Sequence, residues 1–226
     1  MKKLSVIVPV YNEKSTILKM IGLIKASPHP LEIVIVDDCS TDGTREILKQ
    51  IDDSQITVLF HSKNAGKGAA IRTAIGKISG DVTLIQDADL EYSPKDYPQL
   101  LAPILDDLAD VVYGSRFLGG PHRVLFFWHY FGNWIFTTLT NILYDINLSD
   151  MGTCYKAFRT EILQSLQLKS DRFGIEPEIT AKVCKKKAED LRSPHFLSGP
   201  HLCGRKKNHL EGRFPLFLGA AALSVL

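Results

Sequence analysis

Residues 4–13 read LSVIVPVYNE, and this stretch sets the type of fold. Its first half is a short apolar run rich in β-branched side chains, which is typical of a strand buried on both faces. Pro9 and Asn12 mark the end of the run. Over residues 13–26 the apolar side chains then recur at the three- to four-residue spacing of a helix. The stretch therefore predicts a strand followed by a helix.

The same alternation continues through residue 116. Near-continuous apolar strands separated by helices indicate an α/β fold, with a mostly parallel sheet covered by helices on both faces. In such sheets ligands bind at the carboxyl ends of the strands. Here those ends carry the acidic pairs DD and DAD and the dipeptide SR, so polar groups are predicted to meet at one edge. The further predicted strands are residues 31–36, 56–60, 82–85 and 111–113.

Composition excludes several classes of protein. The chain has 226 residues, of which 45% are hydrophobic and 23% charged, and these values are not those of a disordered or coiled-coil chain. The net charge of +2 argues against a dedicated nucleic-acid binder, so no nucleic-acid partner is expected. The four cysteines form no CxxC pair, which argues against a zinc site and fits a reducing compartment. Lys2-Lys3 leads directly into the first strand without a signal peptide, which predicts a cytoplasmic location.

The sharpest chemical signal is Asp87-Ala88-Asp89, directly after the fourth predicted strand. Side chains two positions apart leave a strand on the same side, so the two carboxylates would repel unless solvated or bridged by a cation. Mg²⁺ and Mn²⁺ prefer such oxygen ligands and usually share them with substrate phosphates. A solvated turn with one Asp capping the next helix is the alternative, and DxD alone does not separate the two.

Two further motifs leave alternatives open in the same way. Asp37-Asp38 ends the second strand, where a carboxylate can accept hydrogen bonds from a ribose or base, or can simply cap a loop. Residues 64–68, NAGKG, are not a P-loop, because the spacing of the glycines and the residue after Lys67 do not match. The turn amides and Lys67 could still lie near an anion at a helix start. The alternative is an exposed lysine.

Residues 124–144 contain no Lys, Arg, Asp or Glu but both tryptophans. Their length reaches that of a membrane span, although polar residues and Gly132 dilute it. Concentrated aromatic residues favour a helix lying at the membrane interface. A helix buried against the sheet is the second interpretation and a spanning helix the third. Further on, Glu178 is expected to support the N-terminal end of a helix that follows Pro177.

Taken together, these motifs resemble the family 2 glycosyltransferases, and most closely the branch similar to dolichol- and polyprenyl-phosphate mannosyltransferases. The resemblance runs in order over about 185 residues. The stretches that carry it are SVIVPVYNE (5–13), IVIVDDCSTDGT (33–44), NAGKGAAI (64–71), DADLEY (87–92), VYGSRF (112–117), HRVLFFWHYFGN (122–133), DMGTCYKAFR (150–159) and DRFGIEPEITAKV (171–183).

The resemblance implies a GT-A type nucleotide-sugar fold and an inverting, metal-dependent transfer of a hexose to a polyprenyl phosphate. Mannose from GDP-mannose is the first expected donor, and glucose from UDP-glucose the second. Asp89 and Arg116 are the implied catalytic residues, with Arg116 gripping a phosphate bidentately. The implied ligands of Mg²⁺ or Mn²⁺ are Asp87, Asp89 and, where relatives often have glutamine, Glu91. The implied nucleotide-sugar site comprises Pro9, Tyr11, Glu13, Asp37, Lys67, Asp87, Ala88, Asp89 and Arg116.

The acceptor and the location are further expectations. We expect one domain, residues 1–190, with nucleotide-sugar binding in 1–118 and acceptor and membrane contacts in 119–190. The uncharged stretch 124–144, rich in Trp and Phe, predicts a peripheral location at the cytoplasmic face of the membrane. Two other functions remain open. Transfer to a saccharide hydroxyl would need a carboxylate base, with Glu176 and Glu178 as candidates. A nucleotide-sugar-binding protein without turnover would lack the chemistry altogether.

The tail, residues 191–226, contains no Ile, Thr, Tyr, Trp or Asp. The resemblance stops there, where relatives continue with a stretch similar to RIYEVPISYxGRTYAEGKKITWKDGF. Codons can be chosen for residues 202–214 so that reading one nucleotide later gives YAEGKKITWKDGF, and the same shift turns 191–197 into YEVPISY. We therefore predict a single-nucleotide frameshift near Lys187, with a divergent tail as the alternative. An out-of-frame tail would pack poorly, and loss of the family stretch would impair activity.

Overall fold

The computed structural model describes residues 2–29, 31–116, 127–189 and 196–198. Within these residues seven strands form one sheet in the order β3-β2-β1-β4-β6-β5-β7. The strands are β1 (Leu4–Val10), β2 (Leu31–Asp37), β3 (Ile56–Phe60), β4 (Val82–Ile85), β5 (Val111–Tyr113), β6 (Lys156–Arg159) and β7 (Phe196–Ser198). The helices are α1 (Ile17–Lys25), α2 (Thr44–Leu48), α3 (Lys67–Ile75), α4 (Tyr97–Leu105), α5 (Phe127–Tyr144), α6 (Thr160–Ser165) and α7 (Ile175–Glu189), with a 3₁₀ turn at Pro94–Asp96.

The sheet is mostly parallel, as predicted. β1, β2, β3 and β4 pair in parallel, and β6 alone among the described strands runs antiparallel to its neighbours β4 and β5. The later half of the chain thus inserts a strand into the sheet built by the earlier half. β7 belongs to the segment predicted to be an atypical tail, yet it pairs in parallel with β5. The other tail residues, 191–195 and 199–226, lie outside the described residues.

Apolar side chains of the strands alternate between two cores, one on each face of the sheet. Val6 and Val8 of β1 pack in the core that includes α1 and α4, whereas Ile7 packs in the core that includes α3 and α7. All three side chains are fully buried. Burying each of them stabilises the fold by about 1.5–3 kcal/mol. The prediction of helices on both faces is therefore confirmed.

Pro9 lies in β1, a central strand, where proline is normally excluded. The pairing of β1 with β4 ends at Ile7, opposite Ile85, whereas the pairing with β2 continues to Val10. The carbonyl of Ile7 accepts the N–H of Gln86, so the odd-numbered residues of this strand direct their backbone groups toward β4. Pro9 therefore lacks its N–H on the side where the ladder has already ended. Proline at position 9 therefore costs β1 no hydrogen bond to a neighbouring strand.

Candidate functional site

The predicted convergence of polar groups at one edge of the sheet is confirmed. The edge is formed by the carboxyl ends of the parallel strands and by the amino end of antiparallel β6. Asp37 ends β2 and Lys156 begins β6, opposite both Ile85 and Tyr113. The acidic pair follows β4 and Arg116 follows β5. Because β6 is reversed, it adds residues from before the strand, 150–155, to this edge.

The two carboxylates of the DxD motif have different surroundings. Asp87 forms an ion pair with Lys67, whose Nζ lies 2.7 Å from its Oδ1. Asp89 is exposed and accepts the backbone N–H of Glu91 at 2.9 Å. Partial desolvation of the carboxylate raises the pKa of Asp89, and the nearby carboxylates of Asp87, Glu91 and Glu13 raise it further. Asp89 therefore sits in an excess of negative charge.

This environment fits a divalent cation. Among the described residues no ion pair involves Asp89, and the carboxylates around it offer oxygen ligands of the kind that Mg²⁺ and Mn²⁺ prefer. Within the residues that the structure describes, however, no three His, Cys, Asp or Glu side chains are arranged to hold a metal ion. Asp87, Asp89 and Glu91 do not form a closed set of ligands. A metal here would complete its coordination with oxygens of a donor diphosphate.

Lys67 is the centre of a charge cluster beneath Asp87. Its Nζ also lies 2.8 Å from Sγ of Cys154 and 3.6 Å from Oε1 of Glu176. Burial on its own would lower the pKa of Lys67, but the neighbouring Asp87, Cys154 and Glu176 raise it above the ordinary lysine value. Lys67 is therefore a largely buried cation with paired carboxylates around it. The interpretation of an exposed lysine at the helix start is wrong.

A second lysine completes the cluster. Lys156 is fully buried, forms an ion pair with Oε2 of Glu176, and donates to the backbone carbonyl of Thr153. Its Nζ lies 5.0 Å from the centre of the Tyr113 ring, a cation–π contact. Glu176 thus lies between two lysines, Lys67 and Lys156. A buried ion pair of this kind is costly to break by removing one partner.

Arg116 is held by a residue that the sequence interpretation did not single out. Its Nε and Nη2 donate to the two carboxylate oxygens of Asp150, each at 2.8 Å, and its backbone N–H also donates to Asp150. Asp150 is fully buried. The bidentate grip that was expected for a phosphate is therefore made on Asp150, because the planar guanidinium matches a carboxylate equally well. The role of Arg116 toward a ligand stays a prediction.

The remaining predicted donor residues line the ends of β1 and β2. Tyr11 is 49% exposed and Glu13 is partly buried, whereas Asp37 is fully buried, pairs with Arg45 at 3.3 Å and accepts the backbone N–H of Ser40. The partly buried Pro9 and the buried Ala88 lie at the same edge. The loops after β1 and β2 are tied together by Asn12, which accepts the N–H of Thr41 at 2.8 Å. Contact of these residues with a nucleotide stays a prediction.

The backbone amides of the turn before α3 already bind a carboxylate of the protein. The N–H groups of Ala65 and Gly66 donate to the two carboxylate oxygens of Asp38 at 2.9 and 2.7 Å. Gly66 has φ +98°, and a Cβ there would lie 2.6 Å from the carbonyl oxygen of Asp171. The NAGKG motif therefore serves close packing. The anion that its amides meet is the protein's own Asp38 carboxylate.

Helix α5 packs its polar side against the protein. Asn141 exchanges two hydrogen bonds with the backbone of Leu148, at 2.8 and 2.9 Å, and Thr137 accepts the N–H of Met151 at 3.1 Å. Asn133, one turn earlier, donates to Asp150 at 3.0 Å. These three polar residues are spaced four apart and so share one helix face.

Most apolar side chains of α5 are left exposed, so a helix buried against the sheet is the wrong interpretation. Among the described residues no helix has both the length and the apolar character needed to cross a membrane. The predicted contact also included residues 124–126, which lie outside the described residues. The exposed side chains are Phe127, Trp128, Tyr130, Phe131, Trp134, Phe136, Leu139, Ile142 and Leu143.

Glu178 has a structural role. It accepts the backbone N–H groups of Lys169 and Ser170 at 2.8 and 2.7 Å and pairs with Lys182 at 2.7 Å. Burial alone raises the pKa of Glu178, but the hydrogen bonds from Lys182 and Ser170 lower it to about 2. Helix α7 begins at Ile175, before Pro177 rather than after it as expected, and Glu178 lies in its first turn.

The residues missed by sequence reasoning are those that pair with the predicted ones. Asp150 holds Arg116, and Lys156 holds Glu176. Cys154 lies against Lys67. All three missed residues belong to the stretch DMGTCYK, which the resemblance had singled out as a motif without assigning roles. The DMGTCYK motif was therefore the sequence signal that could have pointed to these three residues.

Known protein sequences match most of this chain. The family model described as Glycosyl transferase family 2 matches residues 5–167. An undecaprenyl-phosphate 4-deoxy-4-formamido-L-arabinose transferase from Salmonella paratyphi A is 29% identical over 201 residues, which are 86% of this chain and 60% of the relative. The corresponding protein from Pseudomonas savastanoi pv. phaseolicola is 28% identical over 84% of this chain and 57% of its own length. The chain thus spans about 60% of the length of these curated relatives.

Solved structures share the fold. Glucosyl-3-phosphoglycerate synthase from Mycobacterium tuberculosis, in complex with Mn²⁺, UDP and phosphoglyceric acid, has a TM-score of 0.66 at 20% identity and covers 88% of this chain and 69% of its own. A mannosyltransferase from Pyrobaculum calidifontis, in complex with GDP-Man and Mn²⁺, has a TM-score of 0.61 at 22% identity, with coverage of 89% and 56%. The expected GT-A architecture is confirmed.

Proposed function

The chain belongs to glycosyl transferase family 2, and on that premise we propose that it transfers a hexose, with inversion, from a nucleotide-sugar donor to a polyprenyl phosphate. One observation carries the proposal. The acidic edge of the sheet and the exposed apolar helix α5 are joined through the contacts Arg116–Asp150–Asn133. A donor diphosphate and a lipid-borne phosphate could therefore meet beside the same arginine. The relatives named above act on undecaprenyl phosphate, which supports a polyprenyl acceptor.

The donor is GDP-mannose or, as the second choice, UDP-glucose. Among the solved neighbours, one is bound to GDP-Man and another to UDP, so the fold accommodates both nucleotides. In this chain Pro9, Tyr11, Glu13 and Asp37 would frame the nucleoside at the ends of β1 and β2. Tyr11 has the exposed ring needed to contact a base.

Mg²⁺ or Mn²⁺ would be held by Asp87 and Asp89, with Glu91 close by, together with oxygens of the donor diphosphate. When bound, such an ion stabilises the negative charge that develops on the leaving diphosphate. Asp89 suits this role because its exposed carboxylate lies among other carboxylates. The Arg116 guanidinium, fixed by Asp150, adds positive charge at the same edge.

The acceptor phosphate needs no strong general base, because phosphate monoesters are largely ionised above a second pKa of about 6. A saccharide hydroxyl would need one, and the two candidate carboxylates are poorly suited. Glu176 is buried and paired with Lys156, and the pKa of Glu178 is lowered to about 2 by its hydrogen bonds. These contacts favour the phosphate acceptor over the saccharide acceptor.

The enzyme would act as a peripheral protein at the cytoplasmic face of the membrane, with α5 as the contact. Helix α5 contains no Lys, Arg, Asp or Glu. Its exposed face is rich in aromatic side chains, which prefer the headgroup region of a membrane. Docking there would bring a polyprenyl phosphate toward Arg116.

The test is a transfer assay with the full chain, Mn²⁺ or Mg²⁺, each donor and undecaprenyl or dolichyl phosphate in vesicles. We expect a lipid-linked hexose whose formation requires the metal and falls by at least a hundredfold in Asp89→Asn. Asp96→Asn, at an exposed acid of the 3₁₀ turn, is the matched control and should leave the rate unchanged. Nucleotide binding in a calorimeter without turnover on any donor would instead indicate a binding protein.

A further inference from the structure

Lys67 occupies the place of a counter-ion on the DxD motif. Its ammonium lies 2.7 Å from Oδ1 of Asp87, which is the carboxylate expected to help hold a divalent cation. Lys67 is the first residue of α3, and its side chain is only 15% exposed. The ammonium therefore cannot simply move out into solvent when another cation approaches Asp87.

Besides Asp87 and Sγ of Cys154, a further acceptor for this ammonium is present in the cluster. Oε2 of Glu176 is paired with Lys156, but Oε1 is buried and has no hydrogen-bond partner among the described residues. Oε1 lies 3.6 Å from Nζ of Lys67, just beyond hydrogen-bonding distance. A movement of about 1 Å would bring the two atoms to a normal hydrogen-bond length. Buried polar atoms are rarely left without a partner, so this one calls for an explanation.

We propose that Lys67 is an exchangeable counter-ion, which neutralises Asp87 in the metal-free protein and moves to Oε1 of Glu176 when a divalent cation takes over Asp87. This inference rests on the proposed function only in taking Asp87 as part of the metal site. Glu176 is then a positioning residue that acts through Lys67. The exchange gives Glu176 its missing partner at the moment when Asp87 gains a new one.

Electrostatics gives the exchange its direction. A divalent cation on Asp87 would repel an ammonium that shares the same carboxylate, and this repulsion is strong where water is scarce. Moving toward Glu176 separates the two positive charges without exposing Lys67 to an unpaired state. In the metal-free protein the reverse holds, since an unneutralised Asp87 beside Asp89 would be unfavourable. Lys67 therefore competes with the metal for Asp87, and Glu176 weakens that competition.

The experiment measures Mn²⁺ binding to the full chain without donor, by the loss of the free-ion electron paramagnetic resonance signal. Lys67→Met removes the competing ammonium, and we expect a dissociation constant at least tenfold lower than that of wild type. Glu176→Gln keeps the ammonium on Asp87, and we expect a constant at least fivefold higher. Lys67→Gln, which retains hydrogen bonding without charge, should bind as Lys67→Met does and serves if the methionine variant does not fold.

The double variant separates the exchange from a general effect of charge. In the Lys67→Met background, Glu176→Gln should change Mn²⁺ affinity less than twofold, because its effect requires the ammonium. An equal weakening in both backgrounds would overturn the exchange, as would unchanged affinity in Lys67→Met. Parallel transfer assays on wild type distinguish this failure from failure of the proposed function. A chain that transfers sugar but binds no Mn²⁺ would overturn the exchange alone.

Discussion

Replacing Phe127 and Trp128 by aspartate should release the protein from membranes. The two side chains are 66% and 75% exposed, and they lie at the start of α5. Aromatic side chains of this kind offer roughly 150–250 Å² each, so together they present roughly 300 Å² to solvent. At about 25 cal/mol per Å² this area corresponds to about 7 kcal/mol if fully covered. Coverage of about 40% of it by the bilayer interface gives about 3 kcal/mol, or roughly a hundredfold in partitioning.

The assay is flotation with vesicles that contain anionic lipid, at several lipid concentrations. The matched control places two aspartates at Leu18 and Leu108, which are 57% and 58% exposed and lie outside α5. We expect the control to float as wild type does and the α5 variant to need about a hundredfold more lipid. The reasoning would be refuted if both variants floated equally well. Loss of a dimer in sedimentation, without loss of flotation, would assign the face to a second copy of the chain instead.

Three further predictions concern the residues that hold the site in place. Asp150→Asn removes the charge that binds the Arg116 guanidinium, so it should lower the free energy of unfolding by about 2 kcal/mol. It should also lower kcat. Unchanged values of both quantities would contradict the pairing. Glu178→Gln should cost about 1 kcal/mol at pH 7. Since the pKa of Glu178 is lowered from 4.5 to about 2, this difference in urea unfolding should persist above pH 5 and shrink as the pH falls from 4.5 toward 2; a constant difference would refute it. Gly66→Ala, with φ +98° and a close carbonyl, should destabilise by about 1–3 kcal/mol, whereas Gly22→Ala in open helix surroundings should stabilise slightly in thermal denaturation.

The first five strands could be read from the sequence because each is a local apolar run. Their predicted bounds agree with β1 to β5 within two residues. β6 could not be read in this way, since Lys156–Arg159 has only two apolar residues, which lie between two charged ones. Its place between β4 and β5 depends on antiparallel pairing with strands more than forty residues away in sequence. No local pattern encodes such a partner.

In the candidate site, too, local features could be predicted and long-range contacts could not. Strand ends placed Asp87 and Arg116 at one edge, because parallel strands share a direction. The contact partners of the site residues could not be predicted, because they are distant in sequence. Arg116 contacts Asp150, 34 positions away, and Lys67 contacts Cys154, 87 positions away. An arginine beside a predicted phosphate site was expected to bind phosphate bidentately. The same guanidinium geometry fits a carboxylate, and only the fold decides which of the two it meets.

Helix α5 shows why composition and orientation must be considered separately. Its polar residues weaken the case for a membrane span, and in the sequence they look like dilution of an apolar segment. In the structure Asn133, Thr137 and Asn141 form the packed face, because their side chains satisfy backbone groups of the loop 148–152. The apolar residues between them are then left outward by the helical period alone. The same polar face that turns the aromatic side chains outward also holds Asp150, and through it Arg116. Helix α5 and the arginine of the candidate site are therefore held through the same carboxylate.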